Sequence, residues 1–129
     1  MTVVELPWPP SKLSPNARLH WKAKHRYRHA YRHTCSWACV EQKVRKIEAE
    51  AVTATITFSP PDNRRRDSDN MLASIKSGLD AIAEAIGVDD SCWSLALRRG
   101  DPVKGGSVRV EIEVAAQDYA KAAKRGEAA

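Results

Sequence analysis

The chain has 129 residues, a formal net charge of +5 and a pI near 9.3, and 43% of its residues are hydrophobic. These values fit one domain with a modest core, and the apolar fraction is ordinary for a globular protein. No apolar run approaches the roughly 20 residues that span a bilayer, and the N-terminus lacks the basic and apolar segments of a signal peptide. The three cysteines are sparse and odd in number, so we expect a reduced cytoplasmic protein without a membrane partner.

The first half of the chain predicts a strand, an extended segment and a long helix. Residues 2–6 have the pattern of a short strand. Four prolines between residues 7 and 15 keep the next segment extended, because proline lacks an N–H and restricts the residue before it. A helix is predicted over about 22–48. Its apolar row follows spacings of three and four through Trp37, Val40, Val44 and Ile47.

The second half predicts a strand, an amphipathic helix and two further strands. Residues 52–58 alternate between apolar and threonine side chains. One helix begins near residues 68–70 and ends at Ile86, with Gly87 as its C-terminal cap. Strands follow at 93–98 and 107–114, and the glycine- and proline-containing link between them favours a hairpin. The order β-α-β-α-β-β predicts a single α/β domain with a mixed sheet over residues 1–115. Residues 116–129 are expected to form a frayed or disordered tail.

Three aspartates stand at the two ends of the second predicted helix. Asp67 and Asp69 come just before or at its start, and Asp90 follows its C-terminal glycine. Carboxylate oxygens are the ligands that hard divalent cations prefer, so the three could form one metal site. Considered alone, the Asp67 and Asp69 pair is better explained by helix capping, and Asp89 and Asp90 by an ordinary polar turn. Two acidic pairs together exceed what capping needs.

Lys76 is the next candidate for the same site. It lies seven residues after Asp69, so on a continuous ideal helix the two side chains are only about 20° apart around the axis. Lys76 could there stabilise the charge that develops during phosphodiester hydrolysis. The alternative is an ion pair with Asp80, four residues later. The sequence leaves both roles open.

Cationic residues lie in two groups that suit a polyanionic partner. Arg64, Arg65 and Arg66 directly precede Asp67. No acidic residue occurs from 11 to 33, and that stretch interleaves histidine, tryptophan and tyrosine with Lys12, Arg18, Lys22, Lys24, Arg26, Arg28 and Arg32. Basic and aromatic side chains together are typical of surfaces that bind nucleic-acid phosphates and bases. A solvated helix face is the alternative.

These pieces together resemble the RusA family of Holliday-junction resolvases. The resemblance covers most of the chain to about residue 115. It rests on Leu-Pro-Trp-Pro-Pro-Ser at 6–11 with Asn16 soon after, Arg-Arg-Arg-Asp-Ser-Asp-Asn at 64–70, Lys-Ser-Gly-Leu-Asp-Ala at 76–81, the Asp89-Asp90 pair and the Gly105-Gly106 turn. The chain departs from the family's compact pattern in one place. It has three extra residues before the lysine, although the spacing from Lys76 to Asp80 matches.

The resemblance implies a homodimeric, magnesium-dependent endonuclease that nicks four-way DNA junctions in symmetric pairs during recombination and repair. It implies Asp67, Asp69 and Asp90 as metal ligands and Lys76 as the catalytic lysine, with Mn²⁺ as a substitute for Mg²⁺ and no organic cofactor. A two-fold dimer suits a nearly two-fold junction. Trp8, Trp37 and the 107–114 strand are the interface candidates, since exposed strand edges can pair.

Three other interpretations stay open. A DNA-binding accessory protein without catalysis would share the basic surface but would not need both acidic pairs. A nuclease acting on flaps or forks would share every feature above. A zinc protein would use His25, His29 and His33 with the nearby Cys35 and Cys39, although the chain has no Cys-x-x-Cys.

Overall fold

Four strands and three α-helices make up most of residues 1–115, the part of the chain that the computed structural model describes. They are β1 Thr2–Pro7, α1 Trp21–Glu41, β2 Val52–Ser59, α2 Ser68–Ser74, α3 Lys76–Ile86, β3 Trp93–Arg99 and β4 Ser107–Val114, with 3-10 turns at Ser11–Leu13 and Asp90–Cys92. The predicted α/β class and mixed sheet are confirmed. The predicted tail at 116–129 lies outside the described residues. Within residues 1–115, every helix is too short or too polar to cross a membrane.

The sheet has the strand order β1-β4-β2-β3. β4 runs antiparallel to both β1 and β2, whereas β2 and β3 are parallel and are joined through α2 and α3. The predicted hairpin between β3 and β4 is therefore wrong, because β2 lies between these two strands. Their connection passes over the end of β2, where Gly100 N–H donates to the Phe58 carbonyl at 2.8 Å and Val103 N–H donates to Pro60 at 2.9 Å.

The hydrophobic core lies between one face of the sheet and helices α1 and α3. Alternate residues of β2 and β4 are fully buried there, and the intervening threonines and charged residues lie on the other face. α1 and α3 approach so closely at Gly78 that an added Cβ would lie 2.9 Å from both Cys35 Sγ and Tyr31 Cε2. The glycine is thus required by packing between the helices.

Helix α1 ends seven residues earlier than the pattern predicts and buries a different face. Its buried residues are Tyr31, Cys35 and Cys39, at spacings of four, whereas Trp37 is 56% exposed and Val40 is 65% exposed. The prediction that Trp37 and Val40 belong to the apolar face of this helix is therefore wrong. The helix stops because Lys43 has a left-handed backbone conformation, with φ of 59°, which an α-helix does not continue.

The second predicted helix is interrupted at Ile75, which separates α2 from α3. The Ile75 N–H donates to the Leu72 carbonyl three residues back, and the Ser74 hydroxyl donates to the Asn70 carbonyl at 2.8 Å. Such local bonds tighten and bend a helix. Ile75 itself is fully buried. Gly87 ends α3 with a left-handed conformation, φ 76°, and this confirms the predicted cap.

The two edges of the sheet differ. At β1, the Gln42 side chain accepts from Glu5 N–H at 2.7 Å and donates to Glu5 C=O at 2.8 Å, so this edge carries a side-chain clamp. β3 forms the other edge. β4 is paired on both sides, so the prediction that the 107–114 strand could pair with a partner through a free edge is wrong.

Candidate active site

Asp67 lies where the loop after β2 enters α2, and its carboxylate caps that helix. The Asp67 Oδ1 accepts a hydrogen bond from Asp69 N–H at 2.9 Å, which satisfies one of the free donors at the helix start. This is the capping role that the sequence left open. The Asp69 side chain, on the second residue of α2, accepts no hydrogen bond from residues 1–115. Of the two, Asp69 therefore has the carboxylate that remains available to a ligand.

A groove of about 320 Å³ brings three of the four predicted catalytic residues onto one surface. It runs along α2 and α3 beside β3, and its polar lining is Asp69, Lys76 and Asp90. The remaining lining residues are Leu72, Ala73, Leu79, Trp93 and Leu95. Lys76 is the first residue of α3, so it follows the bend at Ile75 rather than continuing α2. It reaches the same groove as Asp69 although the two are not on one continuous helix.

Asp80 lies with Asp90 in an adjacent cavity that Arg32 and Glu84 also line. Burial raises the pKa of Asp80 and the Asp90 charge raises it further, whereas Arg32 and Lys76 oppose that shift. The sequence treated Asp80 only as an ion-pair partner for Lys76. Two features of the sequence could have indicated where Asp80 lies. Asp80 follows Lys76 by four residues, and Gly87 ends the helix and turns the chain back toward it.

Asp89 has a local structural role at the same turn. Its carboxylate accepts hydrogen bonds from the Ser91 hydroxyl and from Ser91 N–H, and caps the 3-10 turn at Asp90–Cys92. Both bonds lower the pKa of Asp89 below its ordinary value, and the bond from the Ser91 hydroxyl has the larger effect. Of the acidic pair, Asp90 is thus the residue that faces the groove.

Within one chain, Asp67, Asp69 and Asp90 do not form the three-carboxylate cluster that the sequence predicts. Across residues 1–115 there is no group of three His, Cys, Asp or Glu side chains placed to hold a metal ion. Because β2 and β3 are parallel, Asp69, which follows the end of β2, and Asp90, which precedes the start of β3, lie toward opposite ends of the groove.

The three arginines before Asp67 have different surroundings. Arg66 is only 18% exposed, pairs with Asp62 at 2.8 Å and lies 5.5 Å over the Trp8 ring. Arg64 is well exposed but also contacts Asp62, at 3.2 Å. Arg65 is exposed and has no ion pair with any residue in 1–115. Arg65 is therefore the arginine best placed to bind a phosphate.

A second cavity also lies against α2 and has Asp67, Asn70 and Met71 in its lining. It measures about 450 Å³ and lies beyond the carboxyl ends of β1 and β2. Cationic, amide and aromatic side chains line it, among them Arg64, Arg65, Asn16, Asn70 and Trp8. This side of the molecule thus combines phosphate-binding and base-binding chemistry next to the acidic groove.

The basic stretch lies largely on α1 and the loop before it. The exposed cations of this stretch are Lys12, Arg18, Lys22, Arg26, Arg28 and Arg32, whereas Lys24 is half-buried. Arg32 pairs with Glu84 at 2.9 Å and reaches the acidic end near Asp80. Trp21 is exposed, with the His20 ring at 5.7 Å and Lys22 Nζ at 5.6 Å from its centroid. Basic and aromatic groups therefore extend from the site along one helix.

The histidines and cysteines of α1 do not share a surface. His33 Nε2 accepts a hydrogen bond from Trp37 Nε1 at 3.1 Å on the outer face. Cys35 and Cys39 are buried against the core. Burial raises the pKa of Cys35 to about 12, and a protonated thiol is a poor zinc ligand. The zinc interpretation therefore has no support from this arrangement.

Comparisons with known proteins give one relevant similarity. An uncharacterized protein of Xylella fastidiosa (strain Temecula1 / ATCC 700964) is 35% identical over 97 residues, covering 70% of this chain. The matched region is 61% of that relative, so the chain spans about three fifths of its length. No family model matches the chain. The name of the relative assigns no activity, so the functional argument rests on the site itself.

Proposed function

We propose that the protein is a magnesium-dependent endodeoxyribonuclease that cuts branched DNA. The observation that supports this most is the groove that Asp69, Lys76 and Asp90 line, because an arginine-lined cavity lies against the same helix α2 and the basic helix α1 packs against α3. Carboxylates for a divalent cation and cations for phosphates are the two groups of side chains that metal-assisted phosphodiester hydrolysis requires.

The donor chemistry of the groove fits Mg²⁺. Asp69 and Asp90 offer only carboxylate oxygens to the groove, and burial, followed by the Asp90 charge, raises the pKa of the neighbouring Asp80. Asp69, with Asp67 two residues before it, would supply ligands to an ion at one end of the groove, and Asp90 would supply a ligand at the other end. When bound, Mg²⁺ would supply an acidified water and positive charge against the phosphate oxygens.

Protein side chains would supply the remaining functions. Lys76 lies in the groove, where its ammonium would stabilise negative charge on the reacting phosphate or the leaving oxygen. Arg65 would bind a flanking phosphate, and the exposed cations of α1 would bind the DNA backbone farther away. The proposed substrate is the four-way junction, cut in symmetric pairs by a homodimer, and this part of the proposal draws on the RusA resemblance.

Replacing Asp69 tests the proposal. Asp69→Asn keeps the size of the side chain and removes its charge, so we expect junction binding to persist and Mg²⁺-dependent nicking to fall by at least about a hundredfold. Asp101→Asn is the matched control, because Asp101 is exposed in the loop between β3 and β4. Wild-type nicking rates in Asp69→Asn would remove this residue from the mechanism.

A DNA-binding protein without catalysis is the second candidate. It is favoured by the capping roles of Asp67 and Asp89, which account for two of the four paired aspartates structurally. Junction binding that persists in EDTA, together with no nicking in Mg²⁺ or Mn²⁺, would support this candidate over the nuclease.

A further inference from the structure

The cavity beyond the carboxyl ends of β1 and β2 lies outside the acidic groove and has two walls. One wall is the segment that follows β1, which contributes Trp8, Pro9, Pro10 and Asn16. The other wall is the loop before α2 together with α2 itself. Of the four predicted catalytic residues, Asp67 alone lines this space, the Trp8 cavity. Its chemistry is therefore separate from that of the groove.

Internal contacts hold the first wall in place. The Trp8 ring lies 6.3 Å from the Phe58 ring, edge to face, and packs against Gly106, where an added Cβ would lie only 2.8 Å from Trp8 Cβ and Cγ. Leu13 of the 3-10 turn is buried, and its N–H donates to the Pro10 carbonyl at 3.0 Å. A wall that is fixed before a ligand arrives loses less conformational freedom on binding. The Trp8 cavity is thus formed in advance.

Two side-chain amides of the lining have no partner in the described part of the chain. Asn16 is on the first wall, and Asn70 lies half-buried in α2. Their backbone groups bond to the hydroxyls of Ser14 and Ser74, but neither side-chain amide forms a hydrogen bond within residues 1–115. Each amide can donate and accept, and asparagine amides recognise a base edge, that of adenine included, in this way. The cavity therefore offers free groups that a nucleobase would satisfy.

Arginine side chains supply the cationic part of the lining. Arg64 and Arg65 are exposed, and Arg65 forms no ion pair with any residue from 1 to 115. Guanidinium groups pair well with phosphate oxygens. The lining also holds the carboxylate of Asp67, but this group already accepts from Asp69 N–H as the cap of α2. The lining thus suits a ligand with a phosphate at one end and a flat polar ring at the other.

We propose that the Trp8 cavity binds one nucleotide whose base is unpaired, with its phosphate on Arg64 and Arg65 and its base edge on the amides of Asn16 and Asn70. The volume of about 450 Å³ lies within the range of about 300–1000 Å³ that small-molecule sites have. A base must leave the duplex stack to enter a concave site, and a base that is already unpaired does so at the lowest cost.

Two sources offer this chemistry. One is a free mononucleotide, and the other is an unpaired nucleotide beside the branch point of DNA. The second source deepens the proposed nuclease function and rests on it, because the Trp8 cavity and the acidic groove lie against the same helix α2. Binding of a free mononucleotide does not depend on that function.

The first experiment titrates free ligands into isotope-labelled wild-type protein in EDTA and follows the side-chain amide signals of Asn16, Asn63 and Asn70 by NMR. Deoxyadenosine monophosphate should shift the signals of Asn16 and Asn70 at concentrations about tenfold below those that deoxyadenosine or inorganic phosphate needs, because it fills both ends of the cavity. Asn63 is exposed and outside the lining, so its signal should not move. An equal response to inorganic phosphate would show an anion site only and overturn the proposal.

Alanine variants test the two amides. Asn16→Ala and Asn70→Ala should each weaken binding of deoxyadenosine monophosphate about two- to tenfold, because each loses hydrogen bonds to the base, and should leave binding of inorganic phosphate unchanged. Asn63→Ala is the matched control and should keep wild-type affinity. Melting temperatures of all three variants check that they are folded. Wild-type affinity in both Asn16→Ala and Asn70→Ala would remove the amides from the site.

The second experiment repeats the NMR titration with a short single strand, a duplex that contains the same strand and a four-way junction. Shifts of Asn16 and Asn70 with the single strand and the junction, but not with the duplex, would support the use of the cavity on branched DNA. Shifts with deoxyadenosine monophosphate and with none of the DNAs would assign the cavity to a free mononucleotide. Equal shifts with the duplex would overturn the unpaired base, and no shift with any of these ligands would overturn the site.

The failure of this site and the failure of the nuclease proposal are distinguishable. EDTA removes the metal, so every NMR result above is independent of cutting. Absence of nicking in Mg²⁺ by protein whose Asn16 and Asn70 signals respond to the junction would contradict the nuclease proposal alone. Nicking by protein whose signals respond to no nucleotide or DNA would contradict the nucleotide cavity alone.

Discussion

The guanidinium of Arg66 lies 5.5 Å over the ring of Trp8 and pairs with Asp62 at 2.8 Å, whereas its neighbour Arg65 is exposed. Two adjacent arginines of one basic run thus have different roles. Arg66 holds the loop after β2 against the segment that follows the strand ending at Pro7, and Arg65 is exposed for the DNA binding that we propose. The run would look uniform in the sequence, yet its members should respond differently to substitution.

We expect Arg65→Gln to weaken DNA binding without changing stability. Losing one phosphate contact should reduce the slope of log affinity against log salt concentration by about 1. Arg66→Gln should instead lower the melting temperature, because it removes a half-buried ion pair and the contact with Trp8. Salt-dependent binding and thermal unfolding of both variants check this. Equal effects of the two on stability would contradict it.

Lys76→Ala should slow nicking and leave DNA binding nearly unchanged. A cation that stabilises the reacting phosphate mainly affects the rate, by roughly 10- to 1000-fold. Lys104→Ala is the matched control, because Lys104 is an exposed lysine in the loop before β4. Single-turnover nicking rates with saturating protein make the comparison. A purely structural Lys76–Asp80 pair would instead lower stability and leave the rate intact.

Ser77 and Gly78 are neighbours on α3 and should respond oppositely to alanine. The added methyl of Gly78→Ala would press on Cys35 and Tyr31, so we expect a loss of about 1–3 kcal/mol in unfolding free energy. The Ser77 hydroxyl is buried with no hydrogen-bond partner in the described part of the chain, so Ser77→Ala should be neutral or stabilising. Urea unfolding of both variants measures this, and a stable Gly78→Ala would contradict the close helix packing.

Asp62 gives a prediction for acid stability. Hydrogen bonds from Arg66, then from the backbone of Arg64, lower the pKa of Asp62 from its ordinary 3.8 to about 2. A carboxyl whose pKa is lower in the folded state stabilises the fold above its unfolded pKa and loses that contribution as pH falls. The stability difference between wild type and Asp62→Asn should therefore be present above about pH 4 and vanish toward pH 2. A difference independent of pH would show that the charge of Asp62 does not hold this loop.

Gln42→Ala should loosen the β1 edge of the sheet. It removes two hydrogen bonds to Glu5, which at an exposed position are worth about 1 kcal/mol together after competition with water. Hydrogen exchange at the Glu5 amide should accelerate. Gln42→Glu keeps the acceptor and removes the donor, so it should retain protection of that amide. Unchanged exchange in Gln42→Ala would mean that the clamp is not formed in solution.

Much of the fold followed from local pattern. Strict alternation at 52–58 and 107–114 identified β2 and β4, and Gly87 marked the end of α3. Alternation shows which residues face the core but not which strands are neighbours, so the sequence did not reveal that β2 separates β3 from β4. The apolar stripe of α2 and α3 continues across Ile75, so the bend produced by local hydrogen bonds left no gap in the periodicity.

The site was also predicted only in part, because local sequence pattern does not show which distant segments are neighbours. Residue types and spacing pointed to Asp69, Lys76 and Asp90, and the structure places all three on one groove. Capping by Asp67 was one of two roles that its position allowed. The separation of Asp69 from Asp90 depends on the parallel crossover through α2 and α3, which short-range spacing does not specify. For α1, counting cysteines as apolar would have favoured the face formed by Tyr31, Cys35 and Cys39.

The most direct test of the proposed activity uses purified protein, Mg²⁺ and a labelled four-way junction, beside a linear duplex and a flap of the same sequence. We expect paired nicks in the junction that disappear in EDTA and in Asp69→Asn, with the duplex left intact. No nicking of any of the three substrates in Mg²⁺ or Mn²⁺, by protein that binds the junction, would contradict the nuclease proposal.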